Sequence, residues 1–442
     1  MILLLPFILG LFFILTSFYI WRKSQIFFLA YSILFAYTIF TQLGYLFYPE
    51  MLDAVSFHQY YGEDAFIHYW IYIFLSFISI FLIFIIFYHK KYKTIFRIKA
   101  NSSIKKSGES WYILIISSIQ IILAVFLIKN YENLSYVNQA ILKDNKLWFY
   151  LFSLIGIVLL SLICKIYMEH RRKKIFYSAL FFSSFSIFSL IAIRAGQRIE
   201  IAMMFLGFLT LLWYLFRDRI KIKHLKLKYV FIIFIICFIG VSLFQGIRII
   251  RGHSESPGAF FAALKNPKTY LSIFLPKNLI FQDWLVPSLT LMTSMERNIV
   301  FPGRVIESNL KVLVPFIRHD SLGGILSRII DPEGITGYGY YILTEGYNFT
   351  GFAGFIYSAF IFVLGFRILE SFFAGTDDKL FNSYMFGIMG FLAIEVVRGG
   401  QTIVFLRGIY LYFLPAIILF ILMSNRKVYF TGPKMKTVIA QK

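Results

Sequence analysis

Six arginines stand where long apolar runs of this chain end or begin: Arg194 and Arg198 in RAGQR, Arg248 and Arg251 in GIRIIRG, Arg398 in EVVRGGQ, and Arg407 in FLRG. A guanidinium is a planar, permanently charged fork that takes phosphate oxygens two at a time. Arg194 and Arg198 are four apart, and Arg248 and Arg251 three apart, a spacing expected to put each pair on one helix face. The chemistry such groups suit is the binding of a phosphate or pyrophosphate. A single arginine in such a place more often reaches lipid phosphates or pairs with a nearby acid, and Glu395 with Arg398 is one expected pair. An acid–base partner would be a carboxylate or an imidazole. The candidates are Glu345, Glu296, Glu200, His253, His319, Asp320 and Asp331. Glu345 leads because it lies at the mouth of an apolar run. It has two readings, a general base or a residue that orients an arginine.

The elements that must position these groups follow from composition. The chain has 442 residues, 59% hydrophobic and 15% charged, with mean hydropathy +0.73. A soluble chain carries roughly a quarter of its residues charged. The apolar residues come in runs of about twenty, the length that crosses a ~30 Å hydrocarbon layer. An all-α polytopic membrane protein is expected, with eleven spans near 2–21, 25–47, 69–88, 111–128, 147–168, 175–193, 199–216, 229–247, 350–368, 380–397 and 405–423. The first span lacks a basic leader and a small-residue cleavage site, so it reads as a retained helix. Three parts are expected: spans 1 to 8 over 1–247, a large loop over 248–349, and the last three spans with a basic tail over 350–442.

Charge sets the orientation. The net charge is +22, and most cations sit in every second connection: Arg22 and Lys23, the 90–106 stretch, EHRRKK at 169–174, the 217–228 stretch and the tail. By the positive-inside rule these are cytoplasmic, the N-terminus is outside and the C-terminus inside. The basic excess therefore flanks helices and does not call for nucleic acid. The same topology puts all six arginines and the 248–349 loop on the outer face. Within that loop, 258–275 reads as an amphipathic helix in the interface, and 281–301 as a second piece in the headgroup plane or over a cavity.

Other motifs carry less. Cys164 and Cys237 lie in apolar runs and read as small buried residues. No zinc-type histidine spacing, P-loop, GxGxxG or GxSxG is present, so no metal or cofactor is expected. Asp377-Asp378 lies in a short cytoplasmic turn and reads as solvated. Tyr338, Tyr340, Tyr341 and Tyr347 form an outer cluster suited to stacking sugar rings or to an interfacial belt.

Three stretches carry a resemblance: RAGQR (194–198) followed by a span, GIRIIRG (246–252) opening the large loop, and GYGYYILTEGYNFTGFAGF (337–355) closing it. Together they resemble the bacterial O-antigen and capsule repeat-unit polymerases (Wzy-type), relatives of the O-antigen ligases, over roughly residues 190–360. Family members often show Glu-x-Tyr-x-Asn-Phe-Gly in the third stretch. Glu345, Tyr347 and Gly351 keep those places, while Asn348 and Phe349 are shifted by one. The resemblance implies a GT-C-like, metal-independent glycosyltransferase in the bacterial cytoplasmic membrane. Its substrate would be an undecaprenyl-pyrophosphate-linked oligosaccharide, with a flippase and a chain-length regulator as pathway partners. Read with the positions of the residues themselves, the expected catalytic residues are Glu345, Arg194 and Arg198, with Arg248, Arg251, Arg398 and Arg407 on the pyrophosphate, and Tyr338 and Tyr347 on sugar. A ligase, a lipid-linked oligosaccharide flippase and a non-catalytic partner-binding protein are the alternatives.

Overall fold

The structure is a computed structural model that describes residues 4–47, 63–89, 96–98, 111–129, 146–168, 171–194, 198–216, 282–313, 322–330, 340–371, 378–399, 401–424 and 428–430. Its helices are α1 (Leu4–Lys23), α2 (Gln25–Phe47), α3 (Glu63–His89), α4 (Trp111–Lys129), α5 (Lys146–Met168), α6 (Arg171–Arg194) and α7 (Arg198–Phe216). Then come α8 (Gln282–Glu296), α9 (Pro302–Leu313), α10 (Leu322–Ile330), α11 (Ile342–Thr350), α12 (Gly354–Ser371), α13 (Lys379–Gly399), α14 (Gln401–Gly408) and α15 (Leu414–Ser424). Helices thus occupy ten of the eleven expected spans. The remaining one, 229–247, lies outside the described residues, as do the 258–275 stretch and Cys237.

Five segments of the described chain are long and apolar enough to cross a membrane: Leu4–Lys23, Phe66–His89, Ile342–Ser371, Lys379–Val397 and Val404–Leu422. The third is not one straight rod. Ser358 Oγ donates to the Ile342 carbonyl at 3.0 Å, whereas sixteen residues of continuous helix would separate them by about 24 Å. The chain turns at a single 3₁₀ turn, Gly351–Ala353, and α11 folds back on α12. Gly351 makes this possible with φ +66°, a backbone region that favours glycine.

Local chemistry explains several boundaries. Ser24 separates α1 from α2 and accepts from the Phe27 N–H at 2.9 Å, capping the new helix. At the start of α6, Arg171, Arg172, Lys173 and Lys174 oppose the helix dipole, which favours anions there. Between α14 and α15 a π-turn spans Ile409–Phe413. Pro415 follows it, and a proline cannot complete the ordinary hydrogen bond to the carbonyl four residues back. Asp378 corrects an expectation. It is buried, not solvated, and its Oδ1 accepts from the N–H groups of Leu380 (3.0 Å) and Phe381 (3.3 Å) as the cap of α13.

The chain folds as two compact units. The first comprises 1–90, 266–367 and 392–408. Its core is aromatic: Phe13 stacks on Phe35 at 3.9 Å, Phe27 on Phe84 at 4.7 Å, and Phe84 on Tyr88 at 4.0 Å. The Arg367 guanidinium covers the Tyr88 ring at 4.3 Å. In this unit α8 is a correction to the headgroup-plane or capping reading of 281–301. Residues 288–294 are all buried, and α8 packs on α2, α3 and α11. Pro287 falls inside the helix, in its second turn, where a proline leaves the carbonyl four residues back without its ordinary intrahelical donor.

The second unit comprises 91–265, 368–391 and 409–442. Small residues let its helices approach closely: Gly207 faces the Gly387 backbone, and Gly390 faces Thr210. Ser161 bonds Tyr384 at 2.9 Å, and Cys164 is buried as expected. One feature departs from all-α: β1 (Phe96–Ile98) pairs antiparallel with β2 (Val428–Phe430), Arg97 opposite Tyr429.

Candidate functional site

Glu345 lies in the first turn of α11, where the helix dipole favours a negative charge. It has no solvent exposure. Three other helices of the first unit bring polar groups around it. α9 supplies Asn309, whose Nδ2 donates to Glu345 Oε1 at 3.3 Å. α12 supplies Tyr357, whose hydroxyl donates to the same oxygen at 3.2 Å. α14 supplies Thr402, whose Oγ1 lies 2.9 Å from the Tyr357 hydroxyl. Asn309, Tyr357 and Thr402 are all half-buried, so they form the border between Glu345 and the outside of the unit.

Sequence and packing fix this arrangement. Gly346 and Gly354 touch backbone to backbone where α11 crosses α12, and a Cβ on either would overlap the other. That contact holds Tyr357 against the Glu345 turn. α9 is anchored by an apolar cluster of Val305, Val312, Leu322, Leu326, Ile330 and Tyr340. Asn348 ties down the segment before α9, its Nδ2 donating to the Ile299 carbonyl at 2.7 Å and its carbonyl accepting from Phe301 N–H at 2.8 Å. The shifted asparagine of the family-like stretch is thus a structural clamp. Burial, and next the Glu345 charge, hold the Tyr340 hydroxyl well above its ordinary pKa, so it is a neutral phenol beside the carboxylate.

The other expected residues divide. Arg407 donates to Glu395 at 2.8 Å in a largely buried ion pair. The expected partner of Glu395 was Arg398, which lies on α13 with its side chain outside the described residues. Arg194 closes α6 and Arg198 opens α7, so the two belong to successive helices and not to one helix face. Arg248, Arg251, Tyr338, His253, His319, Asp320 and Asp331 lie outside the described residues, and so do the side chains of Arg194, Arg198 and Glu200. Glu296 is exposed at the end of α8. Tyr340, Tyr341 and Tyr347 are buried, which removes them from a surface belt. The Tyr347 hydroxyl donates toward the Met295 carbonyl and Asn298 Oδ1, both at 3.4 Å. Among the described residues no group of three or more His, Cys, Asp or Glu comes together as a metal site.

Asn309, Tyr357 and Thr402 are absent from the sequence-based candidates. Tyr357 is one of 29 tyrosines, and nothing local separates it from the rest. A signal existed only in the spacing: Tyr357 follows Gly351, where the chain turns, and Gly354, where α12 packs backbone to backbone on α11.

Chemically, the cluster is a buried carboxylate steadied by the Asn309 amide and the Tyr357 hydroxyl. It can accept a proton or orient a cation.

A family model described as O-antigen polysaccharide polymerase Wzy matches residues 1–265, more than half of the chain. The match includes Arg194, Arg198, Arg248 and Arg251 and ends before Glu345, Arg398 and Arg407. No curated protein and no solved structure matches.

Proposed function

The chain belongs to the O-antigen polysaccharide polymerase Wzy family, and from that premise we propose that it joins undecaprenyl-pyrophosphate-linked repeat units by glycosyl transfer at the outer face of the cytoplasmic membrane. The observation that carries the reading is the buried Glu345 carboxylate held by Asn309 and Tyr357 in a multi-pass chain of this family.

In this reading the acceptor sugar's hydroxyl attacks the anomeric carbon of the donor chain. A C–O bond forms as the bond to pyrophosphate breaks, and the pyrophosphate leaves with the electron pair. Glu345 accepts the hydroxyl proton. Arg194, Arg198, Arg248, Arg251 and Arg398 stabilise the departing charge, since fixed cations act where charge develops. Arg407 contributes while oriented by Glu395. Tyr338 stacks a sugar ring, and Tyr347, packed on Tyr72 at 5.9 Å, is a wall of the site. Entry of the acceptor to a fully buried carboxylate requires Asn309 to swing aside, which its 3.3 Å bond permits.

The eleven-span topology, with the N-terminus outside, belongs to the same proposal. It is supported by the β1–β2 pair. Paired strands share one side of the bilayer, so the chain crosses an even number of times between 98 and 428. Eight crossings are expected there.

The test is a gene deletion complemented with wild type, Arg194→Ala, Arg198→Ala, Arg248→Ala and Glu345→Gln, with surface glycan resolved on a gel and membrane levels checked. Loss of the long ladder with one repeat unit still attached supports the polymerase. Loss of all attached glycan while polymer accumulates on its lipid carrier would instead make it a ligase. An unchanged ladder in the deletion strain would sink both.

A further inference from the structure

We propose that Tyr357 and Thr402 form the route by which the proton collected by Glu345 leaves the site. The inference rests on Glu345 being the base. A base that turns over must be emptied, and Glu345 has no exposure of its own. The Asn309 amide and the Tyr357 hydroxyl both meet its Oε1, and they differ in kind. The Asn309 amide steadies the carboxylate but does not release a proton at accessible pH. The Tyr357 phenol both donates and accepts. It lies 3.2 Å from Glu345 Oε1 and 2.9 Å from Thr402 Oγ1, and either hydroxyl of the latter pair can be the donor. The chain of three groups therefore runs from a fully buried residue to a half-buried one.

Its polarity can reverse. With Glu345 ionised, Thr402 donates to Tyr357 and Tyr357 donates to Glu345. When Glu345 has taken the acceptor's proton, it donates to the Tyr357 oxygen. The Tyr357 proton passes to Thr402 in the same event, and the Thr402 proton passes to water. One proton enters at Glu345 and one leaves at Thr402, and the phenol stays neutral throughout. The geometry is held in place: the Tyr357 ring packs on Phe349 at 4.6 Å, and the next residue, Ser358, bonds the Ile342 carbonyl at 3.0 Å. Tyr357 is thus a positioning residue, acting through Glu345.

The full-length protein is reconstituted with a synthetic lipid-linked repeat unit, and kcat, KM and the solvent deuterium isotope effect are measured. Tyr357→Phe is expected to lower kcat at least about tenfold, to leave KM within about twofold, and to enlarge the isotope effect. Thr402→Val should show the same pattern more weakly. Thr402→Ser, which restores the hydroxyl, should return the rate. Thr402 lies on a different helix from Glu345, so this pair still decides the matter if Tyr357→Phe fails to fold. Wild-type kcat and isotope effect in Tyr357→Phe and Thr402→Val, beside an inactive Glu345→Gln, would remove the relay and leave the base. Wild-type activity in Glu345→Gln would remove the base and the relay with it.

Discussion

Gln120 shows how a single residue can work against its own fold. It lies on α4, almost fully buried, and neither its amide oxygen nor its amide nitrogen has a hydrogen-bond partner among the described residues. It borders a small cavity with Ile121, Ile155, Ser184, Ile187 and Phe188, and the Ser184 hydroxyl is also buried without a partner among the described residues. An unmatched buried polar group costs about 1–3 kcal/mol. Gln120→Leu is therefore expected to raise the melting temperature of the detergent-solubilised protein, against the usual outcome of a core substitution. A lower melting temperature would mean the amide is satisfied in the membrane. Glu395 and Arg407 make the opposite case: two buried charges kept because each answers the other. Their partnership spans twelve residues and two successive helices, whereas Arg398 is only three residues from Glu395 in the sequence.

At the scale of elements, the α11–α12 crossing governs the site. A methyl at Gly346 would run into the Gly354 carbonyl and the Ser358 hydroxyl. Gly346→Ala should therefore destabilise by about 1–3 kcal/mol and uncouple Tyr357 from Glu345, so chain extension falls even where protein levels hold. Gly303→Ala on α9, with nothing within 4 Å of the added methyl, should be neutral or slightly stabilising. Equal effects from the two substitutions would rule out the crossing as the cause. α9 also carries an exposed trio in which Glu307 meets Lys311 at 2.6 Å and Arg304 at 3.3 Å. The hydrogen bond and charge of Lys311, then Arg304, hold the Glu307 carboxyl below its ordinary value. A depressed carboxylate stabilises the fold above its unfolded pKa, and that contribution is lost as pH falls through the folded value. The melting temperatures of wild type and Glu307→Gln should thus converge in acid. The gap should be small even at neutral pH, because the trio is exposed.

These elements were unevenly legible in the sequence. Apolar runs of bilayer length gave the helices their places, since hydrocarbon permits little else. Glu345 was visible because a lone carboxylate at the mouth of an apolar run is costly and therefore informative. Its neighbours were not, because Asn309 and Thr402 lie 36 and 57 residues away and reach it only through tertiary packing. α8 was misplaced for a related reason. Ser288, Thr290, Thr293 and Ser294 lower its hydropathy to that of an interfacial helix. Thr293 and Ser294, however, hand their hydroxyl protons to Leu289 and Thr290 carbonyls of the same helix, which lets a helix of moderate hydropathy be buried.

For the whole molecule, β1 and β2 make the arrangement of the membrane segments testable. The two strands lie 332 residues apart by the Arg97–Tyr429 pair, and both fall in basic segments expected on the cytoplasmic side. Cross-strand partners sit about 4.5–5.5 Å apart at Cα, within reach of a disulfide. In a background with Cys164 and Cys237 replaced by Ala, Arg97→Cys with Tyr429→Cys should therefore form an intramolecular cross-link in oxidised membranes. Arg97→Cys alone should react with a membrane-impermeant maleimide in inverted vesicles and resist it in intact spheroplasts. Reaction from the outside would reverse the orientation and move the six arginines to the cytoplasmic face. The lipid-linked donor would then have to be used before it is flipped, and the outer-face polymerase would have to be abandoned. Cross-linking with cytoplasmic labelling would leave the arginines and the long loop facing the compartment where finished repeat units are joined.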